Sequence, residues 1–154
     1  MINISIAGAR NDLVKSAVNR ARKKGVVAVA SAGNGGAEAR PYYPAAYKNV
    51  IAVTAFDRNK SAFNRANTGK YIDFAAPGVN IYTAGAGGTG EMQSGTSFAA
   101  PYVSVLVALQ AATGRKTPGS LRKILRRGAL DLGKPGKDQT FGWGMINMQP
   151  ACPK

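Results

Sequence analysis

Histidine is missing from the 154 residues, and with it goes the usual proton carrier of nucleophilic hydrolases at neutral pH. Such chemistry here cannot use a histidine of its own. Cysteine occurs once, at Cys152, so no intrachain disulfide can form, packing alone must hold the core, and the redox compartment stays open. Acidic residues are scarce. There are 7 Asp and Glu against 21 Lys and Arg, a formal net charge of +14. No apolar run reaches the roughly 18 residues of a membrane-spanning helix, which excludes that class of protein. The apolar start, Met1 to Ala7, is too short for a signal peptide and lacks a basic leader, so any export signal is expected outside this chain. What remains, 45% hydrophobic and 18% charged residues, suits one domain or part of one.

Periodicity orders the elements. Ile2 to Ile6 alternates Ile-Asn-Ile-Ser-Ile, which predicts a strand ending at Ala7-Gly8. Asn11 and Asp12 can cap a helix in which Leu13, Val14, Ala17, Val18 and Ala21 fall at helical spacing, with Arg20, Arg22, Lys23 and Lys24 before Gly25. The uninterrupted run Val26 to Ala30 predicts a strand covered on both faces, so the start of the chain reads as a βαβ unit. A loop rich in alanine and glycine follows, and then strands are predicted at Val50–Ala55, Tyr71–Ala75 and Val79–Thr83, with a glycine turn from Gly85 to Gly90. Phe98 to Ala112 is apolar almost all round and predicts a buried helix with Pro101 in its first turn. A last helix, Ser120 to Arg127, opens after Pro118-Gly119 and stops at Gly128. The expected fold is a three-layer α/β unit with a mostly parallel sheet and helices on both faces. It fills residues 1–154 without a second domain or internal repeats.

Two strings carry chemistry. The Gly-x-Ser-x-Gly elbow of the α/β-hydrolases is absent. Instead Ser94-Gly95-Thr96-Ser97-Phe98-Ala99-Ala100-Pro101 places a serine between a glycine turn and the first turn of the buried helix. Free backbone N–H groups and the positive end of the helix dipole there favour a nucleophile and a developing oxyanion; an N-cap serine is the alternative. Ser31-Ala32-Gly33-Asn34-Gly35-Gly36 follows the buried strand at its carboxyl end, where parallel sheets build their sites. Asn34 there is either an amide donor aimed into the same crevice or a turn asparagine in a left-handed conformation.

Together these strings resemble the subtilisin-like serine proteases, the subtilases. The resemblance runs in the family's order through Asn3 to Gly8, Val27 to Asn34, Tyr43-Pro44, Val50 to Val53, Ala75 to Gly78, Gly95 to Pro101 and Gly142 to Asn147. It implies Ser97 as nucleophile and Asn34 as side-chain oxyanion donor. It also implies that Ser5, Ile6, Ala7 and Gly8 form the strand that pairs with an extended substrate backbone. Ala32, Gly33 and Asn34 would line the pocket for the residue before the scissile bond, with Thr96 among the substrate-binding residues. A peptide or protein substrate and a secreted or periplasmic location follow from the same resemblance. No cofactor is expected; the family often binds calcium, but no acidic cluster in this chain would supply a site.

Departures from the family matter as much. Subtilases order their triad Asp, His, Ser, so the first two members are expected to precede the matched region, and none of Asp12, Asp57, Asp73, Asp131 or Asp138 stands in the family's Asp motif. The chain is then the C-terminal portion of a catalytic domain, incomplete at its N-terminal side, whose partner is an N-terminal segment bearing Asp and His. Without it the chain should be close to inactive, since residual catalysis in subtilisin lacking its triad is only about 10³–10⁴ over water. The strand Ile2–Ile6 would then expose an edge prone to association. Val105 replaces a glycine usual in the serine helix, which predicts a crowding cost of roughly 1–3 kcal/mol at a close helix contact. Tyr102 replaces a histidine that is not the triad base.

Two basic clusters, Lys15 to Lys24 and Arg115 to Arg127, hold much of the positive charge. They read as solvated helix faces whose terminal cations complement the dipole. Few aromatics interleave with them, so nucleic acid is not expected as a partner. The alternative function is an inactive fragment acting as a basic binding or interaction module.

Overall fold

The computed structural model describes residues 1–112, 114 and 117–147. Cys152 and Arg115 lie outside them. Six strands and three α-helices follow in the order β1 (Ile2–Ile4), α1 (Asp12–Lys23), β2 (Ala28–Ser31), β3 (Val50–Phe56), β4 (Phe74–Pro77), β5 (Ile81–Ala84), β6 (Gly90–Gln93), α2 (Thr96–Ala112) and α3 (Pro118–Gly128). Strands β1 to β4 form one parallel sheet in sequence order. An antiparallel hairpin of β5 and β6 stands apart from it. No helix among the described residues is long and apolar enough to cross a membrane.

Alternation along the buried strands sorts side chains to two faces. Val29, Ile51, Val53, Ala55 and Phe74 point to one side, where Ala99, Ala100, Val103 and Val107 of α2 and Leu121 and Leu125 of α3 cover them. Ala28, Ala30, Val50 and Ala52 point to the other, where they meet Val18 of α1 and Tyr47. The three layers expected from the sequence are present, and the uninterrupted apolar runs of β2 and β3 are buried on both faces.

Several boundaries shift for local reasons. Strand β1 stops at Ile4 because the next residue, Ser5, is tied to α2 by two hydrogen bonds with Ser97. Strand β4 begins at Phe74 rather than Tyr71. At Asp73 a carboxylate oxygen, Oδ2, accepts from Ala52 N–H at 3.0 Å and the backbone N–H donates to the Ala52 carbonyl at 3.0 Å, so a side chain stands in for part of the ladder. Strand β6 was not legible, since Gly-Glu-Met-Gln has one apolar residue and the strand is largely exposed.

Helix α2 differs more. One side is buried, but Tyr102, Val105 and Leu109 are about half exposed, at 46%, 56% and 50%. Val105 therefore makes no crowded helix contact among the described residues, and the strain expected there is absent. Helix α1 buries only Val18; Leu13 and Val14 of its apolar stripe face outward. Arg122 also departs from the solvated face predicted for α3. Its Nε donates to Asp73 Oδ2 at 2.7 Å and its Nη2 to the Val50 carbonyl. Arg126 lies over the Trp143 ring, 3.6 Å from its centroid, a cation–π contact.

Candidate active site

Ser97 occupies the second position of α2, not its N-cap, because the helix opens at Thr96. Its backbone N–H therefore belongs to the first turn and has no intrahelical acceptor. The side chain is half-buried, and its Oγ donates to the Ser5 carbonyl at 3.1 Å, while Ser5 Oγ donates to the Ser97 carbonyl at 2.9 Å. The tie continues along β1: Asn3 Nδ2 donates to Ser5 Oγ at 3.0 Å, and Ser104 Oγ, two turns further along α2, donates to Asn3 Oδ1 at 2.8 Å. β1 and the nucleophile's turn are thus joined by a run of four polar side chains.

Asn34 reaches the same helix from the loop after β2. Its Oδ1 accepts from Thr96 N–H at 3.0 Å and from Thr96 Oγ1 at 2.9 Å. A backbone N–H can only donate, so the oxygen end of the amide is fixed on Thr96 and the NH₂ end turns away from it. The non-local contact satisfies an orphan donor of α2 and orients Asn34 at the same time. Asn34 lies outside the left-handed region, so it is not a turn asparagine of that kind. Gly95 leaves room for the amide: a Cβ there would sit 3.0 Å from Asn34 Nδ2.

Thr96, fully buried, positions rather than presents. Its Oγ1 accepts from Gly33 N–H at 3.1 Å while donating to Asn34. A Thr96→Val variant, matched in shape, leaves the Gly33 donor unpaired and should lose about 1–3 kcal/mol of unfolding free energy in urea titration. A loss below a few tenths would mean that the Gly33 N–H is satisfied another way.

The remaining expected site residues divide. Ile6, 76% exposed, and Ala7 leave an open stretch of chain beside Ser97. Gly8 does not: its N–H and carbonyl pair with Tyr43 at 3.0 and 2.8 Å, so its main chain is already engaged. Ala32 is fully buried; its N–H donates to the Val53 carbonyl and its own carbonyl accepts from Tyr71 Oη, so it supports the loop from behind. Burial holds the Tyr71 phenol above its ordinary pKa. Ala7, Gly33, Asn34, Thr96 and Ser97 do come together, around a polar cavity of about 260 Å³ that Ser31, Gly35 and Tyr42 also line.

Sequence reasoning missed Asn67, which clamps this loop. It is fully buried, its Oδ1 accepts from Gly35 N–H at 2.7 Å, its N–H donates to the Gly33 carbonyl at 3.0 Å, and its Nδ2 donates to the Arg40 carbonyl at 3.2 Å. The local string Ala66-Asn67-Thr68-Gly69 reads as an ordinary turn, and nothing in it points across 30-odd residues to the loop. Among the described residues no three His, Cys, Asp or Glu side chains group to hold a metal ion.

The sequence profile of the Subtilase family matches residues 1–144. The minor extracellular protease Epr of Bacillus subtilis is 36% identical over 149 residues, which are 95% of this chain and 23% of that protein. Thermitase of Thermoactinomyces vulgaris is 42% identical over 116 residues, 75% of this chain and 41% of that one. Among solved structures, sphericase superposes with a TM-score of 0.82 at 32% identity, covering 95% of this chain and 56% of its own. The S41 psychrophilic protease gives a TM-score of 0.83 at 27% identity, covering 96% and 57%. This chain therefore spans little more than half the length of these proteins, or less. With its sequence matched over residues 1–144, the chain belongs to the subtilase family.

Proposed function

We propose that this chain is the nucleophile and oxyanion side of a secreted serine endopeptidase, completed by a segment outside this sequence that carries the triad Asp and His. The observation that carries the reading is the pairing of Ser97 with Asn34 through Thr96. A nucleophile in a helix's first turn and an amide donor fixed by that same turn are what attack on a peptide carbonyl requires. In the reaction Ser97 Oγ attacks the scissile carbonyl, the absent base takes its proton, and the oxyanion forms between Asn34 Nδ2–H and the Ser97 N–H. Collapse of that intermediate breaks the scissile C–N bond, the base returns its proton to the departing amine, and water then hydrolyses the acyl-enzyme left on Ser97. Ile6 and Ala7 hold the substrate backbone as an added strand.

A place for the completing segment supports the reading. The edge of β1 away from β2 is unpaired among the described residues. On the opposite side, toward β4, Tyr102, Val105 and Leu109 of α2 are exposed, and an apolar cavity of about 530 Å³ opens between Pro77, Tyr102, Val105, Leu106 and Ile146. Exposed apolar surface of this kind marks an interaction face. Arg122 is paired with Asp73 and the exposed Arg126 lies over Trp143, which weighs against the alternative of a free basic binding face on α3.

The test is intact-mass analysis after exposure to a fluorophosphonate, with Ser97→Ala as control. The chain alone should stay unlabelled, and addition of the Asp- and His-bearing segment should give one adduct that Ser97→Ala lacks. No adduct in the completed protein overturns the reading.

A further inference from the structure

We infer that Ser31 and Tyr42 restrict the cavity beside Ser97 to small side chains and favour serine at the residue before the scissile bond. This rests on the endopeptidase reading above. Alternation in β2 turns Ser31 to the same side as Val29, toward the start of α2, and places its side chain in the wall of the 260 Å³ cavity that holds Asn34, Thr96 and Ser97. Ser31 is 1% exposed, and its Oγ is the one buried side-chain polar atom without a hydrogen-bond partner among the described residues. Buried hydroxyls are ordinarily paired, so an orphan on a substrate cavity points to a partner that arrives with the ligand. The oxygen itself is covered, so a substrate hydroxyl would reach it only after rotation about χ1. A hydroxyl both donates and accepts, which matches another hydroxyl two bonds from the substrate backbone.

Tyr42 sets the depth. Its ring lies against the loop, since a Cβ on Gly33 would fall 2.4 Å from Tyr42 Cδ2 and one on Gly35 2.9 Å from its hydroxyl. Tyr42 and Ala7 also line the neighbouring cavity of about 610 Å³, bounded by Arg10, Arg40 and Tyr43. Tyr42 thus borders both cavities. A long or aromatic side chain entering past Ser97 meets this ring.

The test uses the completed catalytic domain and acetyl-tetrapeptide anilides that differ only in the last residue: Ser, Ala, Leu or Phe. Serine should exceed alanine in kcat/KM by about fivefold, the worth of one hydrogen bond, and Leu and Phe should fall roughly 10–200-fold below alanine. Ser31→Ala should erase the Ser-over-Ala ratio. Tyr42→Gly should restore cleavage after Leu and Phe; if that variant does not fold, the Ser31→Ala ratio decides alone. Binding of the four matching peptide acids to Ser97→Ala, followed by NMR, supplies a readout without turnover. Cleavage after Phe equal to that after Ala, or an unchanged Ser-to-Ala ratio in Ser31→Ala, overturns the inference while the endopeptidase reading stands. The same order in binding without any hydrolysis upholds the pocket and overturns the endopeptidase reading. Neither hydrolysis nor ordered binding overturns both.

Discussion

Replacing Asn34 with leucine in the completed catalytic domain should lower kcat by about 10²–10³ and leave KM nearly unchanged, a magnitude taken from subtilisin, a member of the same family. The expectation follows from how the amide is held. Thr96 N–H and Oγ1 both donate to Asn34 Oδ1, so the side chain cannot flip without losing two bonds, and its N–H groups are presented before substrate arrives. A donor held in place costs no reorganisation when the carbonyl oxygen takes up charge, so its effect falls on the transition state rather than on binding. Asn34→Asp makes a sharper comparison. The carboxylate keeps an acceptor for Thr96 but places negative charge beside the developing oxyanion, so its loss should equal or exceed that of leucine. Steady-state kinetics on one peptide substrate, with thermal unfolding of each variant as a control, checks both. A raised KM at unchanged kcat would mean that Asn34 binds the ground state only.

The legible and illegible parts of this site have different physical origins. Ser97 and Asn34 could be placed because each belongs to a short local string that ends a strand or opens a helix, and local strings survive in one sequence. The three-layer fold was legible for the same reason, since Val26 to Ala30 and Val50 to Ala55 announce burial on both faces by composition alone. What the sequence hid is the set of non-local ties. Asn67 to Gly35, Tyr71 to Ala32, Asn3 to Ser104 and Arg122 to Asp73 all join residues more than 30 positions apart through polar side chains of ordinary turn or surface type. No periodicity encodes such pairs. Val105 is a different case, for its expected crowding depends on a neighbour that the described residues do not contain.

The largest stability effect should come from Asp73, remote in role from the nucleophile. Asp73→Ala should cost about 3–5 kcal/mol of unfolding free energy, because it strands Arg122 in a mostly buried position. The Asp73 side chain is 5% exposed and lies 2.7 Å from Arg122 Nε and 3.7 Å from Lys137 Nζ. It also accepts from Ala52 N–H at 3.0 Å, so it ties β3, α3 and the segment carrying Lys137 at the point where β4 begins. A partner replacement separates the charge from the joint. Asp73→Asn with Arg122→Met removes both charges yet keeps an oxygen for Ala52 N–H, and it should recover most of the loss seen in Asp73→Ala. Asp73→Leu with Arg122→Met removes the oxygen too, and should stay roughly 1–3 kcal/mol below the Asn pair for the unpaired Ala52 donor. Urea titrations of the four proteins read these differences directly. Equal stability of the two double variants would assign the whole effect to the ion pair and none to the ladder, in which case the late start of β4 needs another cause. The consequence reaches the site through β3, which pairs with β2 and packs beneath α2, the elements that present Asn34 and Ser97.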